Sequence, residues 1–73
     1  MQILLVGAGT VTSRLNMILS EHQHTVVAQM ATFSPQHLSL FDFSAMLVVA
    51  PESVVDQSSL ATAIENGKII FVV

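Results

Sequence analysis

The sequence predicts a small three-layer α/β domain in which helices cover both faces of a four-stranded parallel sheet. Three short runs, residues 3–6, 46–50 and 69–73, are apolar at every position, as is typical of buried parallel strands. Segments with helical spacing lie between the runs, and such alternation indicates a parallel sheet. Right-handed crossovers leave few topologies. We expect the strand order 2-1-3-4, with 3-2-1-4 as the alternative.

The first strand, residues 3–6, leads through a glycine-containing turn into a helix over residues 10–22. Thr10 is the expected N-cap of this helix. Its apolar residues have the spacing of one helical face, at Val11, Leu15, Ile18 and Leu19. Met17 lies off that face and is therefore a candidate contact with a partner.

The remaining elements follow from similar signals. Residues 25–30 are a weaker candidate strand. Ser34 and Pro35 predict the N-cap and first position of a short helix that ends near residue 40. A further helix is expected between Glu52 and Asn66, started by a capping box of Ser53 and Asp56. Gly67 fits the position after its end, where a positive φ is common.

Composition excludes several function classes. The chain is 52% hydrophobic and only 10% charged, which excludes ordinary disorder. Two cations, Arg14 and Lys68, and a net charge of −3 argue against a nucleic-acid-binding module, because neutralising phosphates requires clustered Lys and Arg. The absence of cysteine excludes thiol catalysis and disulfides. No basic leader or long apolar run is present, so we expect a cytoplasmic protein.

We interpret residues 1–73 as a single domain. The sequence stops at Val73, inside an apolar run. This predicts either a fragment of a longer protein or a last strand that a partner covers, such as another copy in a homo-oligomer, because an open apolar edge strand promotes association.

The strongest candidate site is the turn after the first strand, Gly7-Ala8-Gly9, which leads directly into a helix. Glycines there allow a tight turn and close approach of a phosphate, and the helix N-terminus offers free N–H groups to an anion. We expect a ligand, if one binds, to lie at the carboxyl ends of the first and third strands. Its predicted contacts are Gly7, Gly9, Thr10, Val11, Thr12, Ala50 and Pro51, with residues 31–33 opposite.

This segment resembles the Rossmann dinucleotide-binding family, whose fingerprint is G-x-G-x-x-G/A. Gly7 and Gly9 match its first two glycines, and Thr12 stands in place of the third. Gln29 and Met30 occupy the region where that family has a ribose-binding acid. The expected strand order is that of the flavodoxin-like half of such a fold. The resemblance implies NAD or NADP as the cofactor.

Residues 44–53 and 63–72 look like the second half of the nucleotide domain in dehydrogenases of the glucose-fructose oxidoreductase type. Phe33-Ser34-Pro35 is similar to the precorrin-2 dehydrogenase type. The catalytic Lys-Pro of the first family would lie beyond Val73. We therefore expect no catalysis from this chain alone.

Other catalytic arrangements are not favoured. His22 and His24 flank a helix end, where they do not converge on a metal, and no metal site is expected. Ala50-Pro51 follows the third strand where a receiver domain has its phosphoacceptor Asp. Two hypotheses remain. The chain is a non-catalytic structural or interaction module of a larger protein, or it is the nucleotide-binding half of an NAD(P)-dependent oxidoreductase.

Overall fold

The computed structural model describes the backbone of residues 1–73 and every side chain except that of Pro51. Within this description, strands and helices alternate along the chain. They are β1 Gln2–Val6, α1 Thr10–Glu21, β2 Thr25–Met30, α2 His37–Leu40, β3 Ala45–Val48, α3 Gln57–Glu65 and β4 Ile69–Val72, with a 3-10 turn at Ala50–Glu52. The longest helix has twelve residues, and no described helix combines the length and apolar character needed to cross a bilayer.

The four strands form one parallel sheet in the order β2-β1-β3-β4. This confirms the predicted order 2-1-3-4 and excludes 3-2-1-4. Leu5 of β1 lies opposite Gln29 of β2 and Leu47 of β3, and Leu47 lies opposite Phe71 of β4. Because side chains alternate along a strand, these residues share one face of the sheet.

The main core lies on the opposite face of the sheet, under α2 and α3. Leu4 of β1 and Met46 of β3 are fully buried there, against Phe43 and Ala63 of the covering segments. Residues on both faces of β1 are buried. This burial explains why its sequence is apolar without alternation.

Helix α1 covers the second face only in part. It packs against β1 and β2, where its Asn16 side chain donates a hydrogen bond to Gln29 at 2.8 Å. On the same face, Ile69 and Phe71 of β4 remain 49% and 51% exposed. The part of this face formed by β4 is therefore open among the described residues, whereas Ala45 of β3 is buried.

The predicted start and apolar face of α1 need correction. Gly9, not Thr10, is the N-cap, and it has no side chain to cap with. Val11 and Ile18 are each 48% exposed, whereas Thr12 is fully buried. The buried stripe is rotated because α1 faces only the β1–β2 half of the sheet. Met17 is exposed, as its position off the apolar face predicted.

The predicted capping box of Ser53 and Asp56 is wrong. The N-cap of α3 is Asp56, whose Oδ1 accepts hydrogen bonds from the Ser59 N–H at 2.8 Å and the Ser58 hydroxyl at 3.1 Å. Helix α3 therefore begins three residues later than an N-cap at Ser53 predicts, because the turn at Ala50–Glu52 and an extended segment precede it. Gly67 has a φ of 80°, as predicted for the position that follows this helix.

Helix α2 is shorter than predicted, and its N-cap is Gln36 rather than Ser34. Residues 35–36 form a turn instead of the first helical positions. The Ser34 N–H donates to His37 Nδ1 at 3.0 Å, so a histidine side chain closes the turn that precedes the helix.

Candidate functional site

The glycine turn lies at the carboxyl edge of the sheet, between the ends of β2 and β3. Its backbone is fixed from both sides. The Gly7 N–H donates to the Met30 carbonyl at 2.6 Å, and the Ala8 N–H donates to the Glu52 carbonyl at 2.9 Å. The turn thus lies at the point where strand order reverses, the place where open parallel sheets bind ligands.

The side chain of Glu52 occupies the N-terminus of α1. One carboxylate oxygen, Oε1, accepts hydrogen bonds from the Thr12 N–H at 2.8 Å and from the Thr12 hydroxyl at 2.7 Å. The other, Oε2, accepts a hydrogen bond from the Val11 N–H at 3.1 Å. These N–H groups are free of helical partners at a helix start, and in an anion-binding site they would contact the ligand. Here a carboxylate of the same chain takes the place of the anion.

Gly9 provides the space for this carboxylate. A Cβ atom added to Gly9 would lie 2.5 Å from Glu52 Cδ and 2.6 Å from Oε2. The φ of Gly9 is −171°, an extended conformation that any residue adopts. Glycine is needed at this position for space and not for backbone freedom.

Gly7 makes room for Thr12. A Cβ atom added to Gly7 would overlap the Thr12 hydroxyl oxygen and lie 3.1 Å from Val49 Cβ. Thr12 is fully buried and holds the position of the third fingerprint glycine. Both glycines of the turn are therefore matched to side chains of this same chain, Thr12 and Glu52.

The electrostatics of this arrangement favour the ionised carboxylate. The hydrogen bond from the Thr12 hydroxyl is the largest cause that lowers the pKa of Glu52 below its usual value. The N–H groups of Thr12 and Val11 act in the same direction, and partial burial opposes them. A carboxylate at a helix N-terminus also interacts favourably with the helix dipole.

The other predicted site residues lie around the same edge. Thr10 is the first residue of α1. Ala50 and Pro51 open the 3-10 turn that carries Glu52, and the side chain of Pro51 lies outside the described residues. The Ala50 N–H donates to the Val73 carbonyl at 3.1 Å, which ties this turn to the end of β4.

Ala31 and Thr32, which follow β2, partly close this edge. Thr32 forms a parallel bridge with Val54, whose N–H donates to the Ala31 carbonyl at 3.0 Å. Phe33 is buried in the core beneath α2 and does not face the turn. No pocket opens at this edge or elsewhere among the residues that the structure describes.

Sequence reasoning missed the roles of Glu52 and Thr12. Glu52 directly follows the predicted contacts Ala50 and Pro51, but it was not itself predicted to contact the start of α1. The available signal was an acid four residues after the third strand, in a topology that brings the end of that strand next to a helix start without a capping side chain. Thr12 in place of a glycine was the second signal, because its hydroxyl needs a partner when buried.

Two further polar side chains, those of His37 and Ser58, have local partners. His37 accepts a hydrogen bond from Ser34, and its ring lies 5.7 Å from that of Phe33. Ser58 donates to Asp56. No group of three His, Asp or Glu side chains that could hold a metal occurs among the described residues.

Comparison of the chain with models of protein families, with curated proteins and with solved structures finds no match.

Proposed function

We propose that this chain is a non-catalytic interaction module with a Rossmann-like fold, in which the glycine turn is a structural joint. The observation that carries the proposal is the carboxylate of Glu52 on the N–H groups of Val11 and Thr12. The joint connects the start of α1 to the segment after β3. It occupies the N–H groups that would bind the phosphate of a dinucleotide.

Competition at the joint disfavours phosphate ligands. A phosphate would have to displace the carboxylate, and any displaced position nearby would still place two negative charges close together. The chain has two cationic side chains to offset this repulsion, Arg14 and Lys68. Lys68 is engaged elsewhere, because its Nζ lies 2.7 Å from the Phe43 carbonyl oxygen and 4.7 Å from the Phe43 ring centroid.

The exposed surface supports an interaction role. Large apolar side chains of β4 and of the residue after it are exposed, with Ile69, Phe71 and Val73 on the open face of β4 and Val72 on the opposite face. Exposed apolar patches mark surfaces that contact other molecules, and no pocket for a small ligand opens among the described residues.

The test is an amide NMR titration of the chain with NAD, NADP, ATP and inorganic phosphate, each to millimolar concentration. We expect no saturable shifts at residues 7–12. Saturable shifts confined to those residues in the unmodified chain would contradict the proposal. The Glu52→Ala variant removes the internal anion, and Glu65→Gln, at the exposed end of α3, is the matched control. Amide shifts that phosphate causes in Glu52→Ala, but not in the control or the unmodified chain, would support the view that the carboxylate occupies an anion position.

The second candidate function is the nucleotide-binding half of an NAD(P)-dependent oxidoreductase. It is favoured by the same start of α1, where Gly9 leaves the helix N-terminus unobstructed by a side chain of its own. In that case the cofactor displaces Glu52. Glu52→Gln would then bind the cofactor more tightly than the unmodified chain, and Gly9→Val would abolish binding.

A further inference from the structure

The outer edge of β4 carries hydrogen-bonding groups that point away from the sheet. The Ile69 N–H donates to the Ser44 carbonyl at 3.1 Å, and the Val73 N–H donates to the Val48 carbonyl at 2.8 Å. Residues 69, 71 and 73 therefore direct their backbone groups toward β3. The N–H and C=O groups of Ile70 and Val72 point the other way.

This edge lacks the features by which edge strands usually avoid pairing. Residues 69–73 contain no charged residue and no proline. The nearest cation, Lys68, has its Nζ on the Phe43 carbonyl and its backbone N–H on the Ala63 carbonyl at 3.1 Å. It is therefore not free to shield the strand.

We propose that β4 pairs antiparallel with β4 of a second copy of this chain, so that the two sheets become one continuous sheet. This inference rests on the proposed function, since it names the partner of the interaction module. A second copy fits because it presents the same apolar strand with the same free groups. Under a two-fold axis, the outward N–H and C=O groups of both strands form hydrogen bonds with each other.

The free groups fix the register of this pairing. In an antiparallel pair, residues that face each other with outward groups exchange two hydrogen bonds. Ile70 of one copy therefore pairs with Val72 of the other, and Phe71 lies opposite Phe71 on the two-fold axis. A register centred on Ile70 would need the N–H of Lys68, which is already bonded within the chain.

The side chains suit this register. Phe71 occupies a non-hydrogen-bonded position, where opposing side chains lie closest, and aromatic pairs there are favourable. Ile69 lies opposite Val73 on the same face, so no like charges meet. Ile64 of α3, the helix that packs on β4, is also exposed, at 60%.

Single cysteine variants of this cysteine-free chain test the register directly. In the proposed dimer the two Cα atoms at position 71 are about 4.5 Å apart, within disulfide range. The two Cα atoms at position 69 are about 13 Å apart along the strands, which no disulfide spans. We expect Phe71→Cys to form a cross-linked dimer under mild oxidation. Ile69→Cys, which is equally exposed and on the same face, should not cross-link.

The second measurement is the oligomeric state by sedimentation. The unmodified chain should show a concentration-dependent dimer. Phe71→Glu, which places like charges opposite each other, should weaken that dimer by roughly tenfold or more. Met17→Glu on α1 is the control and should leave the dimer unchanged.

Each other outcome has a distinct meaning. A chain that stays monomeric at all concentrations, or equal cross-linking at positions 69 and 71, overturns the inference. Loss of the dimer in Met17→Glu alone would place the interface on α1 and also overturn it. None of these results involves nucleotides, so failure of this inference is distinguishable from failure of the proposed function, which the NMR titration reports.

Discussion

Glu52 and Thr12 are separated by forty positions in the chain and are joined by two hydrogen bonds, from the Thr12 N–H and from the Thr12 hydroxyl. The Glu52 carboxylate serves α1 as an N-cap, which Gly9 has no side chain to provide. A tertiary contact thus completes a local structure, and it fixes the segment after β3 against the start of the first helix.

Loss of this cap should destabilise the chain. In Glu52→Ala the N–H groups of Val11 and Thr12 lose their acceptor, and the buried Thr12 hydroxyl loses its partner. We expect a lower urea midpoint and faster amide exchange at residues 11 and 12. Glu52→Gln retains one oxygen and should fall between Glu52→Ala and the unmodified chain. Equal midpoints for all three proteins would show that the joint contributes nothing.

Stability should fall in mildly acidic solution. The pKa values of Glu52 and Asp56 are lowered in the folded chain, mainly by hydrogen bonds from Thr12 and Ser59. A carboxyl with a lowered folded pKa stabilises the fold above its unfolded pKa, and this stabilisation is lost as the pH falls through the folded value. The urea midpoint should therefore decrease once the pH falls below the ordinary values of 4.5 and 3.8.

The pH dependence can be assigned with variants. Glu52→Gln should show a smaller decrease of the midpoint with acid than the unmodified chain. The control is Glu21→Gln at the exposed end of α1, which should follow the unmodified curve. A Glu52→Gln curve parallel to that of the unmodified chain would contradict the assignment.

The two glycines of the turn should respond differently to alanine. Gly7→Ala forces a Cβ onto the Thr12 hydroxyl within a buried contact, whereas the Cβ of Gly9→Ala meets the movable end of Glu52. We expect Gly7→Ala to destabilise by roughly 1–3 kcal/mol, the range of overpacked cores, and Gly9→Ala by less.

A double-mutant cycle isolates the contact between Gly9 and Glu52. In a Glu52→Ala background, the Cβ of Gly9→Ala no longer meets a carboxylate, so the second substitution should cost little or nothing. If Gly9→Ala destabilises both backgrounds equally, the glycine is required for another reason than space for Glu52.

Gly67 tests a backbone requirement instead of a steric one. Its φ is 80° and a Cβ atom would meet nothing within 4 Å. Gly67→Ala should therefore lower the free energy of unfolding by about 1–2 kcal/mol, the cost of a left-handed conformation for an L-residue. Gly67→Asn should cost less, because asparagine tolerates this conformation. Chemical denaturation of both variants measures the difference.

Much of the fold follows from local pattern. The apolar runs at residues 3–6, 46–50 and 69–73 mark strands because both faces of a central parallel strand are covered. In β4 the same pattern does not indicate burial on both faces, because Ile69 and Phe71 are half exposed. A run of apolar residues does not reveal whether the covering element belongs to the same chain.

The first residues of the helices were predicted less well, because more than one nearby residue fits the N-cap position. Ser53 and Asp56 both fit an N-cap, and Asp56 caps α3 because Ser58 and Ser59 follow it at the right spacing. For α1 no local signal exists, since its capping group is Glu52. The sequence pattern identified the glycine turn. Glu52 could be recognised as its partner only from the folded sheet, which brings the segment after β3 next to the start of α1.

The strand that pairs with both β2 and β3 is the first element of the chain. During synthesis, β1 emerges before any strand that can pair with it, and Glu52 emerges some thirty residues after α1 ends. At about 5–20 residues per second the ribosome leaves this apolar strand without neighbours for seconds. The central position of β1 therefore delays its burial until β2 and β3 have been synthesised.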